Sequence, residues 1–314
     1  MSLYYLGIDG GQSSTTALIG DESGRVIGYG RGGPCNHVKG PEGRQKFLSA
    51  MEVSVGEACR AAGIEPVFQS SCGGFSGGPA DKQALLSEVL RTEKLFVTHD
   101  ALIALSGATA GQPGIIVISG TGSISFGRNA AGKSARAGGW GFAFGDEGGG
   151  YDLTRQALRA SLRYEEGWGP ATALHGALLA ATGAANANDL LHRFYTVDYP
   201  RPKIASFSKL VDQTAMDGDT VAREILHTAA QQLAMFAGAV RRQLFQDGEP
   251  ARVAYIGGVW HSDLLRERFR QLVELEDGNT VGSPTYGPAA GALIEAYRAD
   301  GRTIELTDVP EFVK

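Results

Sequence analysis

Short runs of alternating apolar and polar residues open the chain. They cover residues 4–9, 15–20 and 25–30, and the turns between them are rich in glycine, serine and aspartate. This pattern predicts an antiparallel meander of three strands. Residues 41–62 then carry apolar positions at a helical period and stop before Gly63, which predicts a helix closed by a C-terminal glycine.

Strands and helices alternate through the rest of a first domain, which we place at residues 1–113. A strand at 67–72, a helix at 81–90 and a strand at 95–99 follow one another. Such alternation requires a sheet with parallel members. The first domain is therefore predicted to be α/β.

The pattern begins again at Gly114. An apolar strand at 115–119, a Gly-rich turn and a second strand at 124–128 repeat the opening of the chain. We interpret this repeat as an internal duplication. The second domain, residues 114–314, is predicted to hold a helical insertion at about 151–245, followed by a strand and two helices, so it is α/β as well.

Composition narrows the classes of partner. The chain has 314 residues, of which 43% are hydrophobic and 20% charged, and its net charge is −5. Because no basic run is present, we expect neither nucleic acid nor a membrane as partner. The N-terminus lacks the basic and long apolar stretches of a signal peptide, so we expect a cytoplasmic protein. Three cysteines without a CxxC pair favour neither a disulfide framework nor a metal cluster.

Two Gly-rich hairpins are the main candidates for chemistry. Glycine lets backbone N–H groups approach a ligand closely, and serine or threonine adds a hydroxyl, so each loop suits phosphate oxygens. Two such loops from duplicated halves predict a clamp around ATP. Neither loop is a P-loop or a dinucleotide fingerprint, because no Gly-Lys-Ser/Thr follows and neither opens a helix. A plain hairpin is the alternative for each loop alone. The residues are Asp9, Gly10, Gly11, Gln12 and Ser13 in the first loop, and Gly120, Thr121 and Gly122 in the second.

Two aspartates have candidate roles beside these loops. Asp9 can hold Mg²⁺ through water. Asp100 follows a predicted strand and precedes an apolar helix, where α/β sheets bind ligands. It is our candidate general base for a sugar hydroxyl. The alternative for Asp100 is a helix N-cap, a position that aspartate favours.

Residues 138–149 form the densest cluster of glycine, aromatic and acidic residues. Carboxylates accept hydrogen bonds from sugar hydroxyls, and aromatic rings offer apolar faces, so this segment suits a sugar. Capping of the following helix is the alternative. Asn36 can also donate to and accept from a hydroxyl. Gly257 and Gly258, together with the segment that ends at Ala290, would let backbone approach adenine; a simple strand-to-helix turn is the alternative.

These residues resemble a known family. The quoted motifs run in the order of the N-acetylglucosamine kinases, in the BadF/BadG-type branch of the sugar kinase, Hsp70 and actin superfamily. The motifs are Asp9-Gly10-Gly11, Asn36-His37, Thr98-His99-Asp100-Ala101, Ser119-Gly120-Thr121-Gly122-Ser123, Gly139-Trp140-Gly141, Gly145-Asp146-Glu147-Gly148 and Gly257-Gly258-Val259-Trp260.

The resemblance implies a fold and a set of roles. The fold is two ribonuclease H-like, actin-like ATPase domains around a cleft, with ATP and Mg²⁺ as cofactors. Asp100 looks like the base, and Ser13 and Thr121 look like phosphate contacts. Gly257 and Gly258 look like adenosine contacts. The implied sugar contacts are Asn36, Gly139, Trp140 and Asp146.

The implied activity is ATP-dependent phosphorylation of an amino sugar, and N-acetylglucosamine at its 6-hydroxyl is the acceptor that we expect. Glucosamine kinase is one alternative. An ATPase that activates a redox partner is another, although the cysteine ligands of such activators are missing. A non-enzymatic sugar sensor is a third, although no DNA-binding element accompanies the two domains. The family also suggests a homodimer.

Overall fold

The computed structural model describes residues 2–35, 40–77 and 81–313. The chain forms two compact units, of which the first contains Met1–Pro113 and Pro284–Lys314 and the second Gly114–Ser283. None of the described helices combines the length and the apolar composition needed to cross a bilayer.

The first unit is built on a five-stranded mixed sheet. Its strand order is β3-β2-β1-β4-β5, with β1–β2 and β2–β3 antiparallel and β1–β4 and β4–β5 parallel. The strands are β1 (Tyr4–Gly10), β2 (Thr15–Asp21), β3 (Val26–Gly32), β4 (Val67–Phe75) and β5 (Arg91–His99). The helices are α1 (Gly40–Ala62), α2 (Gln83–Val89), α3 (Asp100–Ala108) and, from the end of the chain, α11 (Pro288–Ala299).

Both faces of this sheet are covered. Helix α1 packs on β2 and β3, and Leu6 and Ile8 of β1 are buried in the core on its side. Helix α11 packs on the opposite face, where Tyr5 and Leu18 are buried with Leu293. Alternate residues of β1 therefore enter two different cores, as the two-residue period of a strand requires.

The second unit repeats this sheet. Its order is β10-β9-β6-β7-β8, with β6–β7 and β7–β8 antiparallel and β6–β9 and β9–β10 parallel. The strands are β6 (Gly114–Ser119), β7 (Ser123–Arg128), β8 (Ser134–Gly138), β9 (Ala251–Ile256) and β10 (Asn279–Gly282). The predicted duplication and the α/β class of both halves therefore match the observed topology.

Seven helices of the second unit follow β8. They are α4 (Gly150–Glu165), α5 (Leu174–Thr182), α6 (Ala187–Phe194), α7 (Arg201–Ser206), α8 (Ser208–Met216), α9 (Thr220–Leu244) and α10 (Asp263–Val273). Helix α9 packs directly on β7 and β8. It therefore occupies the place that α1 has in the first unit, and the insertion that we predicted at about 151–245 is shorter, consisting of α4 to α8.

The C-terminal segment also departs from the prediction, which assigned residues 114–314 to one domain. Helix α11 packs on β1, β4 and α3, so it belongs to the first unit. Two backbone hydrogen bonds fix its approach, from Thr285 N–H to the Ala108 carbonyl (3.0 Å) and from Tyr286 N–H to the Gly107 carbonyl (3.1 Å). The sequence could not assign this helix to one of the two sheets, because an apolar helix at the end of the chain can pack on either. Its packing in the structure places it in the first unit.

Candidate active site

The first Gly-rich loop joins β1 to β2. Gly11 N–H donates to the Ser14 carbonyl at 3.0 Å and closes the turn. Gln12 and Ser13 are exposed, and none of the described residues accepts a hydrogen bond from their backbone N–H groups. This loop therefore presents free donors, as a phosphate site needs.

Gly10 has a packing role in this loop. A Cβ atom at this position would lie 2.3 Å from Phe75 Cδ1 and 2.6 Å from Cys35 Sγ. Both neighbours are buried. Because only glycine leaves room for them, the core of the first unit reaches to the base of the loop.

Three neighbouring strands end in register beside this loop. Their last paired row consists of Gly10, Phe75 and His99. The residues that follow this row are Gly11, Ser76 and Asp100. The register thus brings the predicted general base and the predicted phosphate loop to one edge of one sheet.

Asp100 lies at the start of α3, and its carboxylate is held on both oxygens. Oδ2 accepts the Ser76 hydroxyl at 2.9 Å, and Oδ1 accepts Ala101 N–H at 2.8 Å. The N-cap of α3 is His99, whose Nδ1 accepts Leu102 N–H at 3.2 Å. Asp100 therefore does not occupy the N-cap position, and its exposed carboxylate can contact a ligand.

Asp9 lies one row inside the sheet edge, paired with Gly74 of β4. Burial, and to a smaller extent the nearby negative charge of Asp100, together raise the pKa of Asp9 to about 6. The two carboxylates are thus electrostatically coupled. A cation at Asp9 would relieve this repulsion, which suits the predicted contact with Mg²⁺.

The second Gly-rich loop joins β6 to β7. Gly120 N–H donates to the Gly122 carbonyl at 2.9 Å, while the N–H groups of Thr121 and Gly122 have no partner among the described residues. The serines at the two ends of the loop point inward: Ser119 Oγ donates to the Gly148 carbonyl (2.7 Å) and Ser123 Oγ to the Glu147 carbonyl (2.6 Å). The loop thereby supports the segment that carries Asp146.

Asp146 is buried and has a left-handed backbone, with a φ of 64°. Its carboxylate packs on Gly122, where a Cβ would lie 2.4 Å from Asp146 Oδ2, and that same oxygen is 3.8 Å from Arg201 Nη2. Such a conformation costs free energy for a residue other than glycine, and strained residues of this kind cluster at functional sites. The geometry fits the predicted ligand role better than helix capping, because the N-cap of α4 is Gly149.

Trp140 lies in the same segment and is 67% exposed. The Arg136 guanidinium stacks over its ring at 4.8 Å, and Gly139 N–H donates to the Ser123 carbonyl at 3.0 Å. The aromatic face that we predicted for a sugar is thus open and carries a positive charge beside it. Arg136 and Ser76 were absent from our predictions. Ser76 could have been identified from the sequence, because it directly follows the strand β4 as Asp100 directly follows β5.

Gly257 and Gly258 follow β9 and are exposed. Gly257 touches the second loop, because a Cβ there would lie 2.3 Å from the Ser119 carbonyl oxygen. Gly258 borders a cavity of about 360 Å³, a volume in the range of small-molecule sites. Polar residues that also line this cavity are Lys209, Asp212, Gln213 and His261.

The contact predicted at Ala290 is not found at these sites. Ala290 is fully buried in the core of the first unit, because α11 closes against the sheet there, so it has no exposed surface for adenine. This part of the prediction was wrong. Asn36 lies outside the described residues.

Comparison with known proteins adds a family and several relatives. The model of the BadF/BadG/BcrA/BcrD ATPase family matches residues 6–296. A Clostridium acetobutylicum protein named N-acetylmuramic acid/N-acetylglucosamine kinase is 32% identical over 87% of this chain and 90% of its own. A Dictyostelium discoideum protein named N-acetyl-D-glucosamine kinase is 31% identical over 92% and 97%.

A solved structure agrees with these relatives. The crystal structure of a Chromobacterium violaceum protein named as an N-acetylglucosamine kinase superposes with a TM-score of 0.69 at 27% identity. The match covers 93% of this chain and 98% of that one.

Proposed function

The chain belongs to the BadF/BadG/BcrA/BcrD ATPase family, and from this premise we propose that it is an ATP-dependent kinase that phosphorylates N-acetylglucosamine on the 6-hydroxyl. The observation that carries the proposal is the shared edge of the first sheet, where the exposed carboxylate of Asp100 lies beside the free N–H groups of the first loop. The names of the relatives support the acceptor.

Asp100 is the base in this mechanism. Its carboxylate takes the proton of the sugar hydroxyl as the hydroxyl oxygen forms a bond to the γ-phosphorus of ATP. The bond between that phosphorus and the bridging oxygen breaks, and ADP leaves with the electron pair. The products are ADP and the sugar phosphate, and Asp100 then returns its proton to solvent.

Each Gly-rich loop is a candidate contact for phosphate oxygens of the nucleotide. Backbone N–H groups of Gln12 and Ser13, and of Thr121 and Gly122, are free to bind phosphate oxygens. Gly258 borders a cavity that has room for the adenosine, and Gly257 lies between Gly258 and the second loop. Gly10, Gly11 and Gly120 shape the two loops.

Mg²⁺ fits the same site. When bound, it supplies positive charge that neutralises the phosphate oxygens. Asp9 would hold it through water, and the electrostatic repulsion between Asp9 and Asp100 is the feature that favours a cation there. Asn36, Gly139, Trp140 and Asp146 would contact the sugar. By family resemblance we also propose a cytoplasmic homodimer.

An acidic amino sugar is a second candidate acceptor. Arg136 stacks on Trp140, and no carboxylate of the described residues pairs with it. A guanidinium in this position can bind a carboxylate substituent such as the lactyl group of N-acetylmuramic acid, which the name of the Clostridium relative includes. Glucosamine offers no such group.

ADP release in a coupled assay tests the proposal. The arms are no sugar, N-acetylglucosamine, N-acetylmuramic acid, glucosamine, glucose and 6-deoxy-N-acetylglucosamine. We expect N-acetylglucosamine to raise turnover far above the sugar-free rate and the 6-deoxy sugar to give none. Equal ADP release without sugar would favour an ATPase that acts on a partner, and a preference for glucosamine would replace the acceptor.

A further inference from the structure

Ser76 is fixed at the end of β4 by its backbone. Its N–H donates to the Gly10 carbonyl at 3.2 Å, which joins it to the strand that carries Asp9. Its carbonyl accepts a hydrogen bond from Lys82 Nζ at 3.2 Å. Both polar groups of the Ser76 backbone are thus engaged, so the direction of the side chain follows from the fold.

Lys82 is an unusual donor in this arrangement. Its side chain is only 5% exposed, and its ammonium lies 5.7 Å from the centre of the Phe75 ring. Burying an ammonium costs free energy unless hydrogen bonds satisfy it. Its bond to the Ser76 carbonyl is therefore a strong restraint on the position of Ser76.

The Ser76 hydroxyl donates to Asp100 Oδ2, and Ala101 N–H donates to Oδ1. One donor on each oxygen fixes the plane of the carboxylate. Each oxygen of a carboxylate has two lone pairs, so both remain able to accept a further proton or hydrogen bond. The carboxylate is thus oriented without being blocked.

We propose that Ser76 is a positioning residue that orients the Asp100 carboxylate toward the acceptor hydroxyl, and that Lys82 holds Ser76 in place. This inference rests on the proposed kinase function. Ser76 acts through Asp100 and contacts neither nucleotide nor sugar in this scheme. Its loss lets the carboxylate turn about its side-chain bonds, which affects proton transfer and leaves ground-state binding intact.

A double-mutant cycle between Ser76 and Asp100 tests the inference. We expect Ser76→Ala to lower kcat about 10-fold or more, with the KM values for sugar and ATP within about twofold of wild type. Ser76→Thr, which keeps the hydroxyl, should restore most of the loss. In an Asp100→Asn background, Ser76→Ala should cause no further loss, because there is no base left to orient.

Ser87→Ala serves as the matched control. Ser87 is exposed on α2 and its hydroxyl donates to the Gln83 carbonyl, so its loss should leave kcat unchanged. Melting curves check that all variants fold. Lys82→Met should lower kcat in the wild-type background but cause no further loss in the Ser76→Ala background. If Lys82→Met does not fold, the double-mutant cycle between Ser76 and Asp100 still tests the role of Ser76.

The outcomes separate the inference from the function on which it rests. Sugar-dependent turnover by the wild type with an unchanged kcat for Ser76→Ala overturns the inference alone. If Ser76→Ala lowers kcat by the same factor in the wild-type and Asp100→Asn backgrounds, the inference is also overturned. A raised KM for sugar with a normal kcat overturns it too, because Ser76 would then be a sugar contact. No sugar-dependent turnover by the wild type overturns the function itself.

Discussion

The two Gly-rich hairpins have the same place in their sheets but use their side chains differently. In the first, the serine of the loop is exposed and two coupled carboxylates, Asp9 and Asp100, lie at the sheet edge. In the second, Ser119 and Ser123 turn inward and hold the backbone of the segment that carries Asp146. The two halves share one backbone topology, while the candidate base lies in one half and the support for the predicted sugar-binding segment lies in the other.

The glycines show the same division. Gly10 is closed in by Phe75 and Cys35 of the core, whereas Gly122 is closed in by the carboxylate of Asp146. A change at the first should therefore affect the stability of the fold, and a change at the second should affect a predicted sugar contact. A glycine in a predicted phosphate loop can thus be required by its neighbours as much as by a ligand.

The largest expected effect tests whether the chemistry belongs to the first half. Asp100→Asn keeps the shape and the hydrogen bond to Ala101, but removes the base, so kcat should fall by about 10²-fold or more. Glu93→Gln, which changes an exposed carboxylate on β5, the strand that precedes Asp100, is the control and should keep normal turnover. Steady-state kinetics measure both, and near-normal turnover of Asp100→Asn would refute its role.

A pair of alanine substitutions should separate the hairpins next. Gly10→Ala overfills a buried core, so the free energy of unfolding should fall by about 1–3 kcal/mol. Gly122→Ala displaces Asp146, so the KM for sugar should rise by about 10-fold, the scale of one lost hydrogen bond to a charged group. Denaturant unfolding and steady-state kinetics measure the two effects.

Gly176→Ala is the control for both substitutions. Gly176 lies exposed in α5, and a Cβ there would meet nothing within 4 Å. Alanine favours a helix, so this variant should be as stable as wild type or more so, with normal kinetics. If Gly10→Ala and Gly122→Ala change the free energy of unfolding and the KM for sugar in the same way, the proposed difference between the two hairpins is wrong.

The hairpins were predictable because their signal is local. Strand alternation, turn residues and repeated glycines all lie within about twenty residues of sequence. Strands β8 and β10 escaped prediction because both lie at sheet edges, are short and have no buried residue, so they show no apolar alternation. Ala290 was assigned wrongly because small residues after a proline fit a close approach to a ligand and a close helix contact equally well.

The contacts that complete the sites join residues far apart in the chain. Asp100 was found because it follows a strand, but the hydroxyl that holds it comes from Ser76, 24 residues earlier. The packing of Asp146 on Gly122 likewise joins two residues that are distant in the sequence. Sequence shows which residues have suitable chemistry, while the register of the sheet determines which of them meet.

The smallest expected effect concerns the C-terminal segment that returns to the first unit. Asp300, just after α11, accepts hydrogen bonds from Lys94 (2.7 Å), Gln69 (3.1 Å) and Tyr5 (2.8 Å), one from each of three strands. The bond from Lys94 is the main cause that lowers the pKa of Asp300 to about 2. The ionised form is thus favoured in the folded protein.

Asp300→Asn should therefore lower the melting temperature modestly at pH 7. The stabilisation is complete above the pKa of about 4 that an aspartate has in an unfolded chain, and it is lost as the pH falls toward 2. The difference between variant and wild type should shrink over that interval. Asp247→Asn, an exposed change in the second unit, should give no such dependence. A difference that stays constant from pH 7 to pH 2 would mean that Asp300 acts through shape alone, and the returning segment would then owe its place to the apolar face of α11.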